Sequence, residues 1–234
     1  MRVVVTSLVG LGLFLSGIGA TSAQTEARDA VSAVPLGARP AAVTRFCLDR
    51  ARRDKFTVLC PTRYPRTSQS EVTPSGSSLL GPSFYWASFN DAAGFGNGDN
   101  GHLVFGGQRP LFSLAGSPGQ TWPRPGEARP VKQLNLPRLL MTPMQDGRQY
   151  VAQRPARILR HVTVHTRPAL ILVAEPYPLG GFMGGHVIVL WNRQQHGYML
   201  SLHFDAAPNG RAYSLSNRVT AAVQVASSFA PVTY

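Results

Sequence analysis

The stretch His186-Val187-Ile188-Val189-Leu190-Trp191-Asn192-Arg193-Gln194-Gln195-His196-Gly197-Tyr198-Met199-Leu200-Ser201-Leu202-His203 decides the fold. Its two halves are rich in β-branched, aromatic and aliphatic side chains, and its middle is polar. It therefore reads as two strands, 186–192 and 198–204, joined by a hairpin turn. Working backwards, residues 157–165 and 169–175 read as two more strands by the same pattern. No crossover of a dozen residues separates any of the four, as a parallel arrangement would need, so the sheet they imply is antiparallel. Working forwards, Val219, Ala222, Val223, Ala226 and Phe229 recur at helical spacing, with a cap expected near Ser216, and predict a closing helix.

A first helix is predicted to begin at Pro40, a residue suited to the first helical position. Val43, Phe46, Cys47 and Ala51 recur along it, while Arg45, Asp49, Arg52 and Arg53 occupy other faces, over about four turns. The fold class this supports is α+β: an antiparallel sheet with an N-terminal and a C-terminal helix packed on one face. A short strand is expected at Phe56–Leu59, then a loop from Tyr64 to Gly81 because Ser, Thr, Pro and Gly dominate there. Residues 83–89 and 102–106 read as an aromatic strand and its partner. The segment between them carries Asp91 and Asp99 but lacks the alternating oxygen ligands and closing Glu of an EF-type calcium loop, so it reads as a hairpin connection. Five prolines within residues 117–138 suggest an extended surface excursion.

At 234 residues, 44% apolar and 15% charged, the chain is of ordinary globular composition and carries one domain. Arg2, the apolar run Val3–Leu15 and the small residues Ala20-Thr21-Ser22-Ala23 make residues 1–23 an expected export signal. The apolar run falls short of the ~20 residues of a spanning helix, and no later segment reaches that length. Residues 24–39 are expected to be a flexible lead-in and 40–234 the single folded domain. The only cysteines are Cys47 and Cys60. An exported chain meets an oxidising compartment, so they are expected to pair in a disulfide that contributes roughly 3 kcal/mol.

Gly184-Gly185-His186-Val187-Ile188-Val189-Leu190-Trp191-Asn192, continued by His196-Gly197-Tyr198-Met199-Leu200-Ser201-Leu202-His203, resembles segments of uncharacterised exported proteins of GC-rich bacteria. The resemblance implies export and carries no activity with it.

Two candidate sites lie in this region. If Gln194-Gln195 form the turn, His186 lies opposite His203 on one face, with Cβ atoms about 5 Å apart. A loop one residue longer sets His186 against Phe204 instead. In the first register, Glu175 on the neighbouring strand is a candidate third ligand of a metal-dependent or hydrolytic site. The second candidate is the glycine-bracketed string 180–185, whose Gly181, Phe182, Met183 and Gly184 are candidate ligand or partner contacts together with His186 and His203. His161 and His165, four residues apart on a strand, stand roughly 13 Å from each other and cannot share one metal.

No Gly-x-Ser-x-Gly elbow is present, and no cofactor or nucleic-acid-reading motif is recognisable. No nucleic acid is therefore expected as a partner. The formal charge is +12, and Arg148, Arg154, Arg157, Arg160 and Arg167 follow one another with no acid between. A basic face of this kind suits an anionic envelope polymer or another exported protein as partner. The expected function is thus a non-enzymatic binding or interaction protein of the cell envelope. The alternative is a metal-dependent or hydrolytic enzyme using His186, His203 and Glu175.

Overall fold

In a computed structural model of the chain, the described residues are 33–53, 57–65, 72–78, 84–91, 102–109, 111–122, 156–176, 184–203 and 213–232. The four C-terminal strands and the closing helix form as their patterns require. They are β8 (Ala156–Val164), β9 (Arg167–Val173), β10 (Val187–Arg193), β11 (His196–His203) and α2 (Leu215–Ala226). Ser214, two residues before the expected cap, closes the helix start by accepting a hydrogen bond from the backbone N–H of Asn217 at 3.1 Å.

The N-terminal half contributes β1 (Leu36–Ala38), α1 (Ala41–Arg53), β2 (Leu59–Pro61), β3 (Arg63–Pro65), β4 (Val72–Ser78), β5 (Phe84–Asp91), β6 (His102–Gln108) and β7 (Thr121–Trp122). A last strand, β12 (Phe229–Pro231), follows α2. Eight strands form one sheet in the order β4-β5-β6-β11-β10-β9-β8-β7, and every neighbouring pair is antiparallel. The fold is mixed α+β, built on an antiparallel sheet with two helices.

Three expectations about the N-terminal half are corrected. The loop read across Tyr64–Gly81 holds two strands, β3 and β4. Val72–Ser78 has weak strand propensity, but the aromatic strand β5 offers it a full row of backbone partners. Its proline is tolerated because β4 is an edge strand with an irregular register between Pro74 and Gly76. The strand expected at 56–59 begins instead at Leu59, where Cys60 pairs with Ala230 of β12. Leu36–Ala38, inside the stretch read as lead-in, is paired as β1 with β3, and Val34 beside it is buried. The signal reading of residues 1–23 and the calcium-like segment 92–101 lie outside the described residues.

The pleat sends alternate residues of a strand to opposite faces, and β10 is buried along Val187–Trp191 on both. Val187, Val189 and Trp191 join Phe105, Tyr198 and Leu200 in one apolar cluster, which also takes Val43 and Cys47 from α1 and Val219, Ala222 and Val225 from α2. Ile188 and Leu190 join Val104, Leu170, Leu172, Met199 and Phe112 in a second. Asn192 holds Phe112 in place: its side-chain oxygen accepts from the Phe112 N–H and its amide donates to the Phe112 carbonyl, both at 2.9 Å. The sheet centre is therefore apolar on both faces, which accounts for the unbroken Val-Ile-Val-Leu-Trp run.

The Cys47–Cys60 disulfide forms, with the Cα atoms 6.2 Å apart, and ties α1 to β2. Because β2 pairs with β12, the same covalent link anchors the end of the chain that follows α2.

Candidate functional site

The turn between β10 and β11 is made by Gln194-Gln195, with Gln194 in the left-handed region at φ 57° and Arg193 paired with His196. That register runs to Val187 opposite Leu202, and one further step places His186 opposite His203. The two rings meet with centroids 4.8 Å apart and planes at 48°. His186 is 1% exposed, whereas His203 is half-buried at the end of its strand.

Local backbone chemistry sets His186 in position. Gly185, at φ 78°, takes a conformation that side-chain-bearing residues avoid, and it turns the chain into β10. Its N–H donates to the Glu175 carbonyl at 3.0 Å, and its own carbonyl accepts from Arg218 Nη1 of α2 at 3.2 Å. The His186 carbonyl then accepts from the Ala174 N–H at 2.9 Å. Position 186 is thus gripped by the strand on one side and the loop–helix contact on the other.

The structure adds two residues to the pair. Ser201, fully buried and two places before His203 on the same face, lies with its Oγ 2.7 Å from His186 Nδ1. The position of β6 paired with His203 is His102. A row of three histidine positions, 102, 203 and 186, therefore crosses three adjacent strands. The Leu-Ser-Leu-His alternation of β11 already placed Ser201 beside His203. His102 was not foreseeable, since its pairing with β11 joins segments about a hundred residues apart in sequence.

Glu175 does not complete the set. Continuing the β9–β10 register puts Ala174 across from His186, and the pleat directs the next residue to the opposite face. Among the described residues no group of three His, Cys, Asp or Glu is arranged to hold a metal ion. Gly184 lies in the turn before Gly185, whereas Gly181, Phe182 and Met183 are outside the described residues.

The Ser201–His186 contact has the reach of a nucleophile and its base. Its setting does not suit that chemistry. Ser201 sits in mid-strand between Ile188 of β10 and Val104 of β6, with no exposed surface for a substrate to approach. The contact instead orients the His186 ring.

Away from this row, His161 and His165 are exposed, and His161 Nε2 lies 3.0 Å from the Gly116 carbonyl oxygen. Burial, and then the nearby Arg109 charge, lower the pKa of His196 below the ordinary imidazole value. Of the arginine run, Arg160 and Arg167 are exposed and Arg157 is half-buried, while Arg148 and Arg154 lie outside the described residues. Between described residues the one ion pair is Arg52 with Asp49, at 3.8 Å.

No protein-family model matches the chain, and no curated protein and no solved structure matches it.

Proposed function

We propose that the chain is an exported, non-enzymatic binding protein of the cell envelope, which uses its arginine-bearing β8–β9 hairpin to hold an anionic envelope polymer. One observation carries this reading: Arg160 and Arg167 are exposed on adjacent strands and have no acidic partner among the described residues. Their register positions, opposite Ile171 and Val164, put both on the same face of the sheet. Such uncompensated charge attracts polyanions through a salt-sensitive field. The disulfide is consistent with life in an oxidising compartment, and no helix among the described residues is long and apolar enough to cross a membrane. In this architecture both helices cover one sheet face, a placement supported by the residues of α1 and α2 that share an apolar cluster.

Sedimentation with anionic cell-wall fragments tests the reading. The expected result is co-sedimentation at about 0.15 M salt that is lost at about 1 M, where the Debye length falls to about 3 Å. An Arg160→Gln/Arg167→Gln variant, altered only at exposed positions, is expected to weaken it several-fold. Retention equal to that of a charge-matched control protein overturns the proposal.

A further inference from the structure

The histidine row is not used by the arginine face, and its geometry points elsewhere. Both cysteines are bonded to each other, so the chain holds no thiol and its nitrogen donors are the imidazoles. A zinc ion stands about 2.0–2.1 Å from a ligating imidazole nitrogen, and hence about 3.2 Å from that ring's centroid. Two rings on one ion then have centroids about 4.5 Å apart at a right angle of coordination and about 5.2 Å apart at the tetrahedral angle. The 4.8 Å between His186 and His203 falls between those limits.

The surroundings fit as well. Metal-ligating histidines commonly donate their second ring N–H to an oxygen acceptor, which sets the tautomer and ring orientation. Ser201 Oγ, 2.7 Å from His186 Nδ1, is placed to be that acceptor, so Nε2 is the ligating atom. Ile188 and Val104, buried on either side of Ser201, form an apolar wall behind the row. The half-buried His203 at the strand end supplies the way in.

We propose that the histidine row at positions 186, 203 and 102 is a binding site for a borderline divalent metal ion of the class of Zn2+ and Cu2+, which favour imidazole nitrogen. Ser201 acts as a positioning residue behind His186. The site goes beyond the polymer-binding reading and is independent of it, because it shares no residue with the arginine hairpin.

The test uses the tag-free chain, stripped with a chelator and titrated with Zn2+ and Cu2+ by calorimetry. Copper electron paramagnetic resonance on the same sample counts nitrogen ligands. The expected outcome is stoichiometric binding in the micromolar range or tighter, with coupling to at least two imidazole nitrogens. His203→Asn is expected to weaken binding by well over tenfold, and Ser201→Ala by about tenfold or more. His102→Asn is expected to weaken it too, and a His161→Asn/His165→Asn variant to leave it unchanged. His186→Asn risks the fold, since it alters a buried ring. The decision therefore rests on the half-buried His203 and on the wild-type resonance spectrum. Absence of stoichiometric binding overturns the proposal, and so does a spectrum without imidazole nitrogen. Affinity that survives His203→Asn but falls with the His161/His165 variant overturns it equally.

Discussion

Gly106 shows how much one residue carries. It lies in β6 opposite Trp86 of β5 and Met199 of β11, and a Cβ there would press into the Tyr85 carbonyl oxygen and stand 3.0 Å from Trp86 Cα. Those neighbours are backbone atoms of a paired strand and cannot swing aside. Gly106→Ala is therefore expected to destabilise the fold by at least about 1–3 kcal/mol, the usual cost of overpacking, read as a lower urea midpoint. The sequence around Gly106 carries no sign of this demand, because it comes from the strands paired on either side. His186 is the opposite case. Its pairing with His203 follows from the two-residue turn at Gln194-Gln195, so the residues that make the contact were readable from the chain. Its depth of burial was not, since that depends on what covers the second face.

Elements were legible in proportion to how much of their stability is local. Strands β8 to β11 alternate or run apolar between clear turn signals, and each was recovered to within a few residues. Strand β4 was read as loop because Ser, Gly and Pro dominate it, and it forms only because β5 presents a ladder to it. Strands β1 and β2 are three residues long and exist through pairing with β3 and β12. The Cys47–Cys60 link belongs at this scale, since it joins α1 to the β2–β12 ribbon over a sequence separation of 13. A Cys47→Ala/Cys60→Ala variant is expected to lose about 2–5 kcal/mol, measured by denaturant unfolding. The loss is expected to track hydrogen exchange in β2 and β12, because that short ribbon has few partners of its own.

For the molecule as a whole, Tyr198 couples the core to solution conditions. It stacks on Trp191 at 5.9 Å, and its hydroxyl donates to the Thr57 carbonyl at 2.8 Å. Burial pushes its pKa from 10.0 up to about 12, against a smaller opposing pull from Arg193. The folded state thus favours the neutral phenol. Its contribution to stability is complete below pH 10.0 and is lost as pH rises toward about 12. Unfolding midpoints followed across that window should fall, and Tyr198→Phe should flatten part of the decline. Midpoints that rise over the same range would contradict the assignment. At this scale, periodicity and turn chemistry by themselves determined an antiparallel α+β fold, a disulfide between the two cysteines and a hairpin able to face His186 with His203. These are local matters of pleat, helical spacing and a two-residue turn. Only the tertiary structure decided that β6 joins β11, that position 102 extends the histidine row, that Ala174 rather than Glu175 stands across from His186, and that both faces of the sheet are buried. Each of these depends on register between segments distant in sequence, where a shift of a single residue sends every side chain to the other face.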